Sequence, residues 1–80
     1  MRLNLLLFGI TRDIVGQSKL THEVPDAATV PQLVESLKQR YPAFRDLDSM
    51  MIAVNNEYGQ PDQLLREDDE IALIPPVSGG

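Results

Sequence analysis

Eighty residues with a net charge of −5, no cysteine and a single histidine describe one small acidic domain with a modest core. That charge excludes nucleic acid as a partner, because phosphates demand a basic face, and it fits either a basic partner protein or simple solubility. The absence of cysteine excludes a disulfide framework, a thiolate zinc site and a cysteine nucleophile.

The opening run Leu3-Asn4-Leu5-Leu6-Leu7-Phe8 has no cleavage-site pattern and is too short to span a bilayer. It reads as a strand over residues 2–8 in a protein expected in the cytoplasm, with no membrane partner. Leu3, Leu5 and Leu7 share one face, and Asn4, Leu6 and Phe8 the other. A strand apolar on both faces is central, or has its second face covered. Residues 10–15 read as one loose helical turn before Gly16. A second strand follows over residues 19–24, alternating Leu20, His22 and Val24 with Thr21 and Glu23 until Pro25 ends it, so the two strands form a hairpin.

The helix signal comes next. Thr29 and Gln32 have capping-box spacing, and Pro31 in the first turn sacrifices a donor that would be unpaired there. Val30, Leu33, Val34, Leu37 and Tyr41 then make one apolar stripe, with Glu35, Lys38, Gln39 and Arg40 on the wet side until Pro42 stops the helix. Residues 43–48 connect to a strand over residues 51–55, with Met50 and Met51 as core filler at its start. Residues 56–61 read as a turn, Leu64 and Leu65 as a short edge piece, residues 66–70 as a polar turn, and residues 71–74 as the last strand.

A hairpin, a helix and a final strand make the α+β pattern of a β-grasp domain, a mixed sheet with one main helix on one face. The helix supplies the crossover that lets the last strand lie parallel to the first. The domain is expected over residues 1–74 with a flexible tail over residues 75–80. If Ile71 and Leu73 point inward, Ile74 joins Leu6 and Phe8 on the outer face as an apolar patch beside the root of that tail.

The tail runs Pro75-Pro76-Val77-Ser78-Gly79-Gly80. The prolines end sheet pairing and stiffen the exit. The glycines leave no side chain around the carboxylate of Gly80, and six extended residues reach about 20 Å. A frayed end and a carboxylate delivered into a partner's pocket both fit this composition.

The side chains offer no rival chemistry. His22, alone in the chain, reads as a satisfied structural residue. Glu67, Asp68, Asp69 and Glu70 lack the glycine and spacing of a calcium loop, and no metal site is expected. The serines have no nucleophile pattern and the glycines form no phosphate loop, so no intrinsic cofactor is expected. The Gly80 carboxylate is left as the candidate reactive group. It is ionised and a poor electrophile at neutral pH, so acyl chemistry there needs activation by an ATP-using partner.

Leu7-Phe8 with Arg12 and Val15-Gly16, Thr29-Val30 before Leu33, Ala53-Val54-Asn55, and Asp69-Glu70-Ile71-Ala72 before Ile74-Pro75-Pro76-Val77-Ser78-Gly79-Gly80 carry a resemblance over nearly the whole chain. The sequence resembles the family of molybdopterin synthase small subunits, which are ubiquitin-like sulfur carriers. The resemblance implies that a nucleotide-binding adenylyltransferase, similar to ubiquitin-activating enzymes, adenylates Gly80. A sulfur donor protein then leaves a covalent sulfur on Gly80 as a thiocarboxylate. Pro75, Pro76, Val77, Ser78 and Gly79 insert into the large subunit, which holds the catalytic residues, and sulfur passes to cyclic pyranopterin monophosphate. Leu6, Phe8 and Ile74 would meet that subunit, in a heterotetramer of two small and two large chains. Asp68 stands where such proteins often have glycine, which predicts a left-handed, strained residue in that turn. Two alternatives share the activation step: a ubiquitin-like modifier conjugated through Gly80, and a thiazole-pathway sulfur carrier.

Overall fold

In a computed structural model, which describes residues 1–47 and 50–75, the chain folds around a five-stranded mixed sheet. Strand β1 (Arg2–Leu7) runs into helix α1 (Gly9–Val15), which leads to strand β2 (Lys19–Glu23). Helix α2 (Val30–Arg40) and a 3-10 turn (Pro42–Asp46) follow, then strands β3 (Met51–Val54), β4 (Glu57–Tyr58) and β5 (Ile71–Ile74). The sheet order is β2-β1-β5-β3-β4, with β1 and β5 parallel and the other pairs antiparallel. This is the expected β-grasp fold.

Helix α2 forms where its local signals place it. The Thr29 N–H donates to Gln32 Oε1 at 2.8 Å, which satisfies a helix-start donor that would otherwise be orphaned. Leu33 and Leu37 are fully buried and meet Leu3, Leu5, Leu7, Ile71 and Leu73 in one core. The side chains on the inner face of the central strands are therefore the odd-numbered leucines of β1 and the matching residues of β5.

Several local readings change. The residues after β1 form a complete helix rather than a loose turn. Thr11, wholly buried, explains why: its hydroxyl donates to Phe8 O at 2.6 Å and accepts from the Phe8 N–H at 3.0 Å. That helix ends on Gly16, whose φ of 89° is a left-handed cap, with its N–H donating to Arg12 O at 2.7 Å. Phe8 is the extended residue before this helix and not the last residue of the strand.

The connector after α2 contains a 3-10 turn that drives Phe44 completely into the core, against Tyr41 at a ring-centroid distance of 5.6 Å. Residues 56–61 include strand β4, because Asn55 and Asn56 both adopt left-handed angles (φ 54° and 69°) and close a two-residue hairpin. Leu64 makes an isolated bridge with Thr29, and the Leu65 N–H donates to Ala28 O at 2.8 Å, tying this piece to the start of α2. Met50 packs against the core, but Met51 is 47 % exposed, since its pairing with Ile74 puts it on the outer face.

Asp68 is not strained. The described non-glycine residues with positive φ are Ala27, Asn55 and Asn56. The turn is built instead by Asp69, whose carboxylate accepts from the Arg66 N–H at 2.8 Å and from Asn55 Nδ2 at 3.0 Å.

Candidate functional site: the outer sheet face at the tail root

Strand register assembles the face opposite the helix. Lys19 pairs with Leu6, Leu6 with Ala72, Ala72 with Ala53, and Ala53 with Tyr58, so one row of residues crosses all the strands of the sheet. Towards the start of β1 the same face is polar. Asn4 Oδ1 accepts from the Thr21 hydroxyl at 3.2 Å, and Arg2 pairs with Glu23 at 3.2 Å. Towards the ends of β1 and β5 it turns apolar, because Phe8 follows Leu7 and Ile74 follows Leu73. Parallel pairing brings both strand ends, and hence the departure of the chain after Ile74, to one edge.

An open groove of about 630 Å³ lies there, lined by Leu6, Phe8, Ala53, Tyr58, Ala72 and Ile74. Glu57 and Glu70 line it as well, and among the described residues no lysine or arginine does. Phe8 is 51 % and Tyr58 61 % exposed, large apolar surfaces to leave in water without a partner. The structure therefore brings together Leu6, Phe8 and Ile74, the three residues chosen from the sequence. It adds Ala53, Ala72 and Tyr58, which only pairing reveals; alternation along β5 was the available signal for Ala72, and none in the sequence pointed to Tyr58.

Pro75 sits at the root of the tail, half-buried against Gly9. A Cβ built on Gly9 would lie 3.0 Å from Pro75 Cγ, and Gly9 has a left-handed φ of 54°. The junction between β1 and α1 thus gives the proline ring a flat seat. Pro76, Val77, Ser78, Gly79 and Gly80 lie outside the described residues.

The only histidine lies away from this face. His22 pairs with Leu3 on the helix-covered side, and its Nε2 lies 2.8 Å from Ser36 Oγ. Burial lowers its pKa below 6.5, and the nearby Arg40 guanidinium lowers it further. It is a satisfied structural histidine. Among the described residues no group of three or more His, Asp or Glu side chains could hold a metal ion, and no helix is long and apolar enough to cross a membrane.

Comparison with known proteins agrees with this geometry. The chain is 39 % identical over 80 residues to the molybdopterin synthase sulfur carrier subunit of Dictyostelium discoideum, covering 95 % of this chain and 93 % of that one. It is 37 % identical over 83 residues to the human protein of the same description, covering 99 % and 94 %. Its fold superposes on the crystal structure of SAMP1, a small archaeal modifier protein from Haloferax volcanii, with a TM-score of 0.80 and 27 % identity over the whole of both chains. The model of the ThiS family matches residues 5–80, and the chain belongs to that family.

Proposed function

We propose that this chain is a sulfur carrier subunit of molybdopterin synthase, acting in molybdenum cofactor assembly in the cytoplasm. The observation that carries the proposal is the meeting of full-length likeness to such subunits with an apolar groove at the root of a diglycine tail. An adenylyltransferase related to ubiquitin-activating enzymes takes the Gly80 carboxylate, which attacks the α-phosphate of ATP to give the acyl-adenylate and pyrophosphate. Sulfide-level sulfur released by a donor protein then attacks the acyl carbon, displaces AMP and leaves the thiocarboxylate.

The loaded tail enters the large subunit, where its sulfur bonds to cyclic pyranopterin monophosphate and water cleaves the resulting thioester, restoring the Gly80 carboxylate. The carrier's own contribution is binding and reach. Leu6, Phe8 and Ile74 anchor the body on the partner, Pro75 stiffens the exit, and the glycines fit a narrow channel without side chains to clash. Holding the body fixed turns delivery of the sulfur into an effectively intramolecular step. Two small and two large subunits make the working assembly.

The test is the intact mass of the chain after co-expression with the adenylating and sulfur-donating proteins. A single oxygen-for-sulfur exchange that maps to Gly80 is the expected result. The likeness to SAMP1 favours a second reading, a protein modifier joined through Gly80 to lysines. High-mass conjugates with an unmodified free pool would select that reading and sink the first.

A further inference from the structure

The acidic residues beside the groove have no part in the tail chemistry, and their placement is informative. Glu57 and Glu70 line the apolar groove itself. A second hollow shares Leu6 and Glu70 with it and is lined by Glu67 and Asp68. Within this run the Asp69 carboxylate is bonded to Asn55 and the Arg66 N–H, and Glu67 Oε1 accepts from the Arg2 N–H at 3.3 Å. Among the described residues the ion pairs are Met1 with Asp26 and Arg2 with Glu23, and neither touches the groove. Four carboxylates thus border exposed apolar surface, and among the described residues no cationic side chain lies within pairing distance of them.

Such an arrangement has two consequences. A partner surface with an apolar centre and a lysine or arginine margin would meet opposite charge along the side of the groove formed by Glu57, Glu70, Glu67 and Asp68, which speeds encounter and fixes register. A second copy of this chain, docking the same face in an isologous pair, would bring one acidic margin into the interface of the other, and like charges brought together there oppose association. We propose that Glu57 and Glu70, extended by Glu67 and Asp68, form a selective rim that admits a basic-margined protein to the tail-root groove and keeps free copies of the chain apart.

This inference rests on the reading of the groove as the docking face for the synthase large subunit, and the two can fail separately. Association of the full chain with the purified large subunit is followed by stopped-flow fluorescence at low and high salt. E57Q/E70Q should lower the association rate constant about tenfold at low ionic strength and leave dissociation nearly unchanged, with the difference closing once salt screens the rim. E35Q/D46N removes the same charge from the helix side and should change the rate less than twofold.

Equal slowing by both variants would overturn the rim by assigning the effect to net charge, and no slowing by E57Q/E70Q would overturn it outright. Sedimentation should show the wild-type chain monomeric and E57Q/E70Q with increased self-association; a wild-type dimer built on this face would refute the second clause. If F8D leaves the dissociation constant unchanged, the docking reading itself has failed.

Discussion

Asn55 and Glu70 hold each other by a closed pair of hydrogen bonds: the Asn55 N–H donates to Glu70 O at 2.8 Å, and the Glu70 N–H donates to Asn55 Oδ1 at 2.9 Å. The pair joins the tip of the β3–β4 hairpin to the entry of β5, directly beside the groove. Asn55 also supplies the left-handed angle of the hairpin, φ 54°, which asparagine tolerates better than most residues. Asn55→Ala should cost about 2 kcal/mol, from lost bonds and left-handed strain together. Asn55→Gly should cost about half as much, since only the bonds go. Urea denaturation of the two variants measures both, and equal losses would show that the backbone angle contributes nothing.

Ala27 offers the opposite opportunity. Its φ of 63° is left-handed, and an exposed alanine has no side-chain bond to compensate. Relief of the Cβ clash outweighs the extra chain entropy of glycine at such an angle. Ala27→Gly is expected to stabilise the domain by about 0.5 kcal/mol, raising Tm by roughly 2–4 °C. A lowered Tm in calorimetry would contradict this.

His22 makes stability depend on pH. Unfolded, it takes up a proton near pH 6.5; folded, burial and then Arg40 hold its pKa lower. Between those values the unfolded chain binds more protons, so the contribution is complete above 6.5 and declines as pH falls towards the folded pKa. Wild-type Tm should therefore drop between about pH 7.5 and 5.5, above the range where carboxylates protonate. His22→Gln, which retains a polar partner for Ser36, should flatten that slope. Parallel curves for the two proteins would remove His22 as the cause.

Phe8→Asp places a charge where a half-exposed ring lines the groove. Because the ring contributes little to the core, the thermal transition should shift by less than about 1 kcal/mol of stability. Affinity for the large subunit should fall by about 2–4 kcal/mol, the loss typical of a central aromatic anchor. Calorimetric titration alongside circular dichroism separates the two effects, and loss of fold without loss of affinity per folded molecule would reject the anchor.

What the amino-acid sequence alone determined is what short-range physics decides. Thr29 and Gln32 start α2, the stripe through Leu33 and Leu37 faces it inward, and the alternation in β1 separates Leu3, Leu5 and Leu7 from Leu6 and Phe8. Each rests on capping or periodicity within a few residues. The β3–β4 turn was not among these: Asn55 reads as the end of a strand and residues 56–61 as a turn, whereas the structure turns at Asn55-Asn56.

Tertiary structure decided the rest, because pairing register is not written within any one segment. Register put Met51 on the outer face with Ile74, and it set Ala53, Ala72 and Tyr58 beside Leu6. It also let Asp69 and Asn55 build a turn that spares Asp68 a left-handed angle. The Leu6, Phe8 and Ile74 patch could be anticipated from alternation, but its acidic border could not, since Glu57 and Glu70 meet only when β3 lies between β4 and β5.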